Sequence, residues 1–500
     1  MPLTPHAIYN DLKNNFLDKT SAVELLITLI ENVDNLTTRI DSIETLEKTK
    51  IKNKKVFKTL ENLIVSDSSE NIRMAAIPTL KTLFQEKAIT PLKWALHHEN
   101  SLNCLITIIK NLGDIKGNKA KSVLIKEIYN INNREFKYNI ENLILNKELE
   151  TLSNSLLAGI IMTYFLISSL KLKFGYINYD INTEGVLIGL DLSNVDNQGF
   201  VWKNVSNYLE AIFSHSFLKK LDLSNNHLTT IPERVNRLDK LEYLDLSFNN
   251  ISQLPGSITA FTNLKTLSLK SNHLKNLPSS IGAISTLESL KLRSNLIKSL
   301  PETIGSLNLL KILDLHHNQL IRIQESLGAL NSLEMLELGW NQIESIPDSL
   351  KNLKKIKILG LGGNKITHIP NWIKNFKTLE EFYLYDNDLL ELPKSFGLLS
   401  SLKVLNLRNN NIEKLPESIK LLKSLEKLNL SWNKLDRIPE SISSLTSLKE
   451  LNLWGNNIKE IPRSVENLSN LEILSLKFNK VTEIPTFLNN LVDNGLLIKL

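Results

Sequence analysis

The chain has 500 residues, of which 42% are hydrophobic and 22% are charged, a composition typical of soluble globular proteins with about two to four domains. Its formal charge of +6 is spread thinly, since residues 1–150 carry 21 basic and 19 acidic side chains, so a concentrated basic face for nucleic-acid binding is not expected. Cys104 is the single cysteine and excludes an intramolecular disulfide. The first residues show no charged-then-apolar leader, so we expect a cytoplasmic protein.

Residues 1–148 are predicted to form an all-α domain. Apolar residues recur at helical spacing from residue 20 to residue 31, and a looser repeat follows. Arg39 and Ile43 recur 34 residues later as Arg73 and Ile77, and Ile106 continues the pattern after a further 29 residues. Helix pairs with a period of about 30–34 residues resemble HEAT repeats, which stack into a helical array. An ordinary helical bundle is the alternative interpretation.

Residues 149–217 are predicted to form a connecting helix and an irregular capping repeat. The uncharged segment 156–170 is shorter than the about 20 apolar residues that a membrane-spanning helix needs. A buried helix is therefore favoured, and a membrane-attached helix is the alternative. Leu187, Leu190 and Leu192 then occupy the strand positions of an imperfect repeat copy, and a longer helix is expected over residues 205–213.

Residues 218–500 contain one 23-residue unit that is copied twelve times without interruption. The pattern is LxxLxLxxNxLxxLPxxIxxLxx; it first appears at Leu218, and its last copy begins at Leu471. Its proline is replaced once, by Gln324. Residues 494–500 are expected to add a last strand, with Ile498 and Leu500 directed inward if the register shifts by one residue. The asparagine is present in every copy: Asn226, Asn249, Asn272, Asn295, Asn318, Asn341, Asn364, Asn387, Asn410, Asn433, Asn456 and Asn479.

Each position of the unit has a predicted physical role. Period-two alternation directs Leu221 and Leu223 into the core and Asp222 and Ser224 outward, which predicts a short strand that pairs in parallel with the next copy. A buried asparagine without partners would cost about 1–3 kcal/mol, so the repeated asparagines are expected to satisfy backbone groups at the turn. Proline then starts the return segment, and only stacking between neighbouring copies can bury the apolar face.

Variable residues on the exposed side of the strands are the candidates for function. Aromatic and charged residues gather in the middle and later copies, and tryptophan, tyrosine and arginine are enriched at binding hot spots. The alternative interpretation is that the aromatic residues only stack along the repeats. The predicted partner-binding residues are His316, Glu337, Trp340, Tyr383, Tyr385, Arg408, Trp432 and Trp454.

Motifs for catalysis or cofactor binding are missing from the sequence. It contains no P-loop, nucleophile elbow, HExxH helix, kinase loop or zinc-spaced cysteine and histidine set, so we predict no enzyme activity, no cofactor and no metal site. The glycine-rich segment 360–365 lies on a repeat strand and is interpreted as shallow surface free of side chains. His316 and His317 are adjacent and are expected to diverge, so they do not form a chelate.

The repeat pattern without cysteine caps resembles the intracellular Ras-group leucine-rich repeat proteins. The resemblance implies an α/β solenoid, a horseshoe with a concave parallel β-sheet, here preceded by the all-α HEAT-like domain. It also implies a scaffold or adaptor that binds a partner protein on the concave face, with a signalling GTPase, kinase or phosphatase among the expected partners. Two alternatives stay open: a regulator of a small GTPase or phosphatase, and a membrane-attached adaptor that uses residues 156–170.

Overall fold

The structure is a computed structural model that describes residues 4–131, 148–197, 204–232, 235 and 237–500. The chain divides into two compact units, Met1–Leu221 and Asp222–Leu500. The predicted fold class is confirmed, because an all-helical region is followed by a long sheet of short strands. The predicted domain bounds at residues 148 and 217 stay a prediction; the segment at the first of them lies mostly outside the described residues.

The described residues between 5 and 131 form eight α-helices. Asn35, Asn53 and Ser101 each cap the start of a helix, since their side chains accept a backbone N–H of the first turn. The repeated arginines also have a structural role, because Arg73 donates through Nε to Glu99 at 2.8 Å. The helices are α1 Pro5–Lys13, α2 Lys19–Asn32, α3 Leu36–Thr49, α4 Lys54–Ser66, α5 Glu70–Phe84, α6 Ile89–His98, α7 Leu102–Asp114 and α8 Asn118–Ile131.

The long apolar helix α9, Asn154–Phe174, packs within the first unit. Its length of 21 residues and hydropathy of 1.7 would suffice for a membrane span, yet 56% of its most apolar window is buried inside the protein. Gly113 allows close packing, because a Cβ at that position would lie 2.5 Å from the Cβ of Ala158. Thr163 donates its hydroxyl to the carbonyl of Gly159 and accepts the N–H of Leu187 at 2.9 Å. These contacts favour the buried-helix interpretation.

Over the residues that the structure describes, fifteen strands follow one another in chain order in the sheet. The hairpin β1–β2 is antiparallel, and identical repeat positions pair in parallel in unit 2, as Leu336 does with Leu359. The strands are β1 Asn178–Ile181, β2 Leu187–Asp191, β3 Lys220–Asp222, β4 Tyr243–Asp245, β5 Thr266–Ser268, β6 Ser289–Lys291, β7 Ile312–Asp314, β8 Met335–Glu337, β9 Ile358–Gly360, β10 Glu381–Tyr383, β11 Val404–Asn406, β12 Lys427–Asn429, β13 Glu450–Asn452, β14 Ile473–Ser475 and β15 Leu497–Lys499.

The short helices and the last strand differ from expectation in detail. Residues 205–213 form a 3-10 turn followed by the helix α10, Leu209–Phe213, and a further helix α11, Asn489–Asp493, precedes the last strand. In β15, Ile498 is half-buried opposite Leu474. The inward direction predicted for Leu500 is wrong: this residue follows the end of β15 and is exposed, whereas Leu496 is buried.

The repeated asparagines form a ladder of hydrogen bonds that joins each copy to the one before it. Asn341 donates to the carbonyl of Leu338 in its own copy at 2.9 Å and to that of Leu315 in the preceding copy at 3.1 Å. Its Oδ1 accepts the N–H of Leu320 at 2.9 Å. The same pattern recurs at Asn364. As predicted, the ladder supplies partners to backbone groups that the turn leaves without them.

Return segments begin at the proline column and consist of 3-10 turns. Pro347, for example, has φ −72° and ψ 152° and precedes the 3-10 turn Asp348–Asn352. Gln324 adopts nearly the same backbone, with φ −66° and ψ 136°. Its side chain is buried, and its Oε1 has no hydrogen-bond partner among the described residues. The backbone at this position therefore already has the φ that proline requires.

A second ladder runs along the residues that follow the first leucine of each copy. These residues alternate strictly between lysine and glutamate: Lys219, Glu242, Lys265, Glu288, Lys311, Glu334, Lys357, Glu380, Lys403, Glu426, Lys449 and Glu472. In the second unit each lysine forms an ion pair with the glutamate of the preceding copy, as Lys357 does with Glu334 at 2.8 Å. Each exposed cation therefore lies between two anions along the solenoid.

Candidate protein-binding surface

Three rows of side chains face away from the buried leucines and define the open face of the sheet. The strand row is the middle residue of each LxL, for example Glu337. The inner rim is the next variable residue, for example Gly339, and the outer rim is the residue directly before the ladder asparagine, for example Trp340. Because the sheet is parallel and in register, each row forms a line across successive strands.

The outer rim has a left-handed backbone in all twelve copies. Its residues are Asn225, Phe248, Ser271, Ser294, His317, Trp340, Gly363, Asp386, Asn409, Trp432, Gly455 and Phe478, and their φ values lie between 50° and 69°. Residues with a Cβ disfavour this region by roughly 1–2 kcal/mol, and large side chains are rare there. Trp340 and Trp432, at φ 55° and 56°, therefore occupy positions that local backbone preference would give to glycine or asparagine.

Four glycines in the two repeat copies that contain β8 and β9 leave space in which side chains of neighbouring copies lie flat on the sheet. A Cβ on Gly360 would lie 1.8 Å from Oε2 of Glu337, and one on Gly362 would lie 2.5 Å from the ring of Tyr385. A Cβ on Gly363 would lie 2.8 Å from the indole of Trp340. The interpretation of segment 360–365 as surface free of side chains is therefore wrong, because residues of the adjacent copies cover it. Gly339 accommodates His316 in the same way.

The sequence-predicted residues form two groups on the open face. The first comprises His316, Glu337, Trp340, Tyr383 and Tyr385, on or just after β7, β8 and β10. Tyr383 donates its hydroxyl to Glu381 at 2.6 Å. The ring of Trp340 stacks on that of His317 with centroids 5.5 Å apart.

The second group lies at the last repeat copies. Trp432 and Trp454 have ring centroids 6.1 Å apart, and Trp454 stacks on Phe478 at 5.9 Å. Arg408 is exposed on the inner rim between the two groups. Stacking does not remove the tryptophans from solvent, since Trp340, Trp432 and Trp454 are 45%, 46% and 38% exposed. The rings therefore stack along the repeats and also present area to solvent.

Burial shifts the pKa values of two side chains in the first group of predicted residues. Burial, reinforced by the charge of Asp314, raises the pKa of Glu337 to about 7. Burial and the nearby Arg293 lower the pKa of His316 to about 4, so this imidazole is neutral at physiological pH. His316 and His317 do not diverge, since their rings meet edge to face at 4.9 Å. No group of three or more potential metal ligands occurs within the part of the chain that the structure describes.

Sequence reasoning missed two kinds of residue on this face. Phe248 is 59% exposed on the outer rim, and the column directly before the asparagines would have identified it. Glu337 and Tyr385 cover glycines of a neighbouring copy. The sequence of one copy does not reveal this contact, because it depends on which side chain the neighbouring copy carries. Whether the predicted residues bind a partner stays a prediction.

The known proteins and families that resemble this chain match its repeat region. A family model described as "Leucine-rich repeat region" matches residues 186–299 and 382–457. Further models for leucine-rich repeats match residues 285–343 and 446–490. No curated protein matches the chain.

Several solved structures resemble the chain. A leucine-rich repeat protein of Leptospira interrogans is 30% identical, with a TM-score of 0.49, and the match covers 62% of this chain and 95% of that one. An internalin of Listeria monocytogenes is 24% identical, with a TM-score of 0.54 and coverage of 62% and 86%, which shows the fold alone. The PEPR1–AtPEP1 structure is 25% identical, with a TM-score of 0.52 and coverage of 67% and 54%. The unbroken asparagine ladder, the parallel register and the family matches together identify the chain as a leucine-rich repeat protein.

Proposed function

We propose that this chain is a non-catalytic scaffold that binds a partner protein on the open face of its leucine-rich repeats. The observation that carries the proposal is the exposure of Trp340, Trp432 and Trp454 at the rim of a regular sheet. Leucine-rich repeat proteins generally mediate protein–protein interaction. Tryptophan is among the residues that contribute most to binding energy at such interfaces.

Backbone conformation supports the same assignment. Trp340 and Trp432 occupy left-handed positions, where a bulky residue is disfavoured by roughly 1–2 kcal/mol. Since both rings also remain exposed, burial of the indoles recovers only part of the free energy that full burial would give. Strained residues that keep their surface exposed are typical of binding sites, where the partner supplies the remaining contacts.

A more specific proposal names the class of the partner and the location of the protein in the cell. We place the protein in the cytoplasm as a signalling adaptor of the Ras-group type, with a GTPase, kinase or phosphatase as the partner and the N-terminal helices as a HEAT-like array. The single cysteine and the resemblance of the repeat pattern support this placement. A regulator would change the turnover rate of a bound GTPase or phosphatase, whereas a scaffold would leave it unchanged, so a rate measurement on the captured partner separates the two.

The membrane-attached alternative has less support. Attachment through α9 would require its apolar side chains to face lipid, but Leu157, Ile161 and Leu166 are fully buried in the first unit. Recovery of the full chain in the soluble fraction without detergent would count against this alternative.

The test of the proposed function is a triple variant, Trp340→Ala, Trp432→Ala and Trp454→Ala. We expect it to abolish capture of the partner from lysate of the native cell, measured by affinity purification and mass spectrometry. Its melting temperature should stay nearly unchanged, because the three rings are exposed. Trp372→Ala is the matched control, since that indole donates to Asp348 on a return segment, away from the open face. Unchanged capture, or a large loss of stability, would contradict the proposal.

A further inference from the structure

The open face changes its chemical character across β8, β9 and β10. In the three copies that contain these strands, the strand row and both rims carry Glu337, Tyr383, Tyr385, Trp340 and Asp386, with glycine at the remaining positions. Glu381 begins β10 at the edge of this area. No lysine or arginine occupies these rows in these copies. We call this area the three-copy patch; it combines carboxylates and aromatic rings without a cation.

Glu337 differs from the other two carboxylates of the patch. Glu381 accepts the hydroxyl of Tyr383 at 2.6 Å, and Asp386 accepts the side-chain amide of Asn409 at 2.7 Å. The side chain of Glu337 forms neither a hydrogen bond nor an ion pair with any residue that the structure describes, and it is more than half buried. A desolvated carboxylate without a partner is unfavourable, and a cation that binds beside it offsets part of that penalty.

The surroundings of Glu337 fit a cationic side chain. Gly360 leaves the space above the sheet in which the carboxylate lies, and Gly362 does the same for the ring of Tyr385. Ring faces attract ammonium and guanidinium groups within about 6 Å, most strongly at tryptophan. The adjacent Trp340, Tyr383 and Tyr385 therefore offer the faces that such a group prefers, next to a carboxylate that forms no ion pair with a described residue and has Arg293 as its one facing cation.

We propose that Glu337 anchors a lysine or arginine side chain of the partner protein, which the rings of Trp340, Tyr383 and Tyr385 flank. This inference rests on the proposed function and adds the chemical class of the partner's central residue: a basic side chain on a segment that lies across β8–β10. A partner segment with an acidic residue at that position would be excluded by Glu337, Glu381 and Asp386.

Titration of Glu337 gives the anchor a pH dependence. The charged groups that face it are Asp314 from β7, Glu381 from β10 and Arg293 from the copy of β6, and Tyr383 lies beside it. The raised pKa of about 7 means that part of the population is protonated near neutral pH. Only the ionised form attracts a cation, so binding is expected to weaken as the pH falls from 8 to 6. His316 stays neutral over this range, because its pKa is about 4.

The experiment uses a random library of 12-residue peptides selected against the full-length chain, with affinities measured by fluorescence anisotropy. We expect selected peptides to share a lysine or arginine whose replacement by glutamine abolishes binding. Glu337→Gln should weaken binding by about tenfold or more, as for the loss of a charge-assisted contact. Glu337→Lys should instead select acidic peptides. Glu344→Gln, an exposed glutamate of the same copy outside the open face, is the matched control and should bind as the parent chain does.

Specific outcomes would overturn the inference. Peptides whose binding requires the three rim tryptophans but is unchanged in Glu337→Gln would refute the cation anchor and leave the proposed function intact. A library without any binder to the open face would contradict both proposals. Saturable binding of Ca²⁺ or Mn²⁺ alone that competes with the peptides would assign the patch to a metal ion and refute the basic side chain. Affinity that does not fall between pH 8 and pH 6 would also count against it.

Discussion

At the scale of single residues, the ladder asparagines contribute to stability through both ends of the amide. Asn341 bonds to backbone groups of two copies, and its removal would leave these groups without partners. We expect Asn341→Ala to destabilise the protein by about 2–4 kcal/mol, the loss of about three hydrogen bonds, in urea denaturation. Asn331→Ala, at an exposed turn of the neighbouring return segment, should change stability by less than about 0.5 kcal/mol. Equal effects of the two substitutions would contradict the role of the ladder.

The exception in the proline column offers a stabilising substitution. Gln324 already has the φ of proline, and neither its backbone N–H nor its buried Oε1 has a hydrogen-bond partner in the described part of the chain. We expect Gln324→Pro to stabilise the protein by about 0.5–1 kcal/mol, mainly because proline restricts the unfolded chain. Thermal unfolding would measure the effect. Gln342→Pro is the opposing control, since it removes an N–H that donates to Leu320 at 2.8 Å and should destabilise. A destabilised Gln324→Pro chain would show that the side chain of Gln324 is needed.

Residues whose role is the same in every copy were predictable from the sequence. Leu221, Leu223 and the asparagine column repeat at a fixed position, so their burial and hydrogen bonding follow from periodicity. The position of Glu337 was not predictable in the same way. Its pKa and its contact with Gly360 depend on the side chains of the copies on either side. The one-residue shift of register after α11 occurs as expected, since Ile498 pairs with Leu474, but for Leu500 the prediction failed because β15 ends at Lys499.

At the scale of elements, the lysine–glutamate ladder joins neighbouring copies outside the core. Lys357 pairs with Glu334, which raises the pKa of Lys357 and lowers that of Glu334 through their hydrogen bond. We expect Lys357→Glu to lower the melting temperature at low salt, because three anions would then follow one another. The loss should shrink in 1 M NaCl, where the screening length falls to about 3 Å.

The control for this substitution is Lys374→Glu, which makes the same charge change on the exposed return segment of the same copy. It should change the melting temperature less, and with little dependence on salt. If both variants respond to salt alike, the effect would reflect net charge and not the ladder. The alternation of lysine and glutamate has a period of 46 residues in the sequence. A search at the 23-residue period does not reveal the alternation, because such a search averages lysine with glutamate.

The interpretation of each element by its apolar period was reliable where burial dominates. The strands and return segments follow the predicted alternation, and α9 is buried as its diluted apolar surface suggested. The aromatic residues of the rim are different, because their left-handed backbone is imposed by the turn and not by their own preference. A sequence pattern records such strain only as a bulky residue type, for example tryptophan or phenylalanine in a column that otherwise holds serine, asparagine, aspartate, glycine and histidine.

At the scale of the whole molecule, the structural repeat of this solenoid is a pair of copies, because the charge at the ladder position alternates from one copy to the next. Excision of residues 356–378 would bring Glu334 next to Glu380, whereas excision of residues 333–378 removes a complete ion pair and restores Lys311 next to Glu380. We expect the shorter deletion to be the more salt-sensitive in thermal unfolding, although it removes less core. If both deletions respond equally to salt, the two-copy structural repeat would be refuted. Insertions and deletions are therefore expected to be tolerated best in even numbers of repeats, so that the length of the binding face changes in steps of 46 residues and not 23.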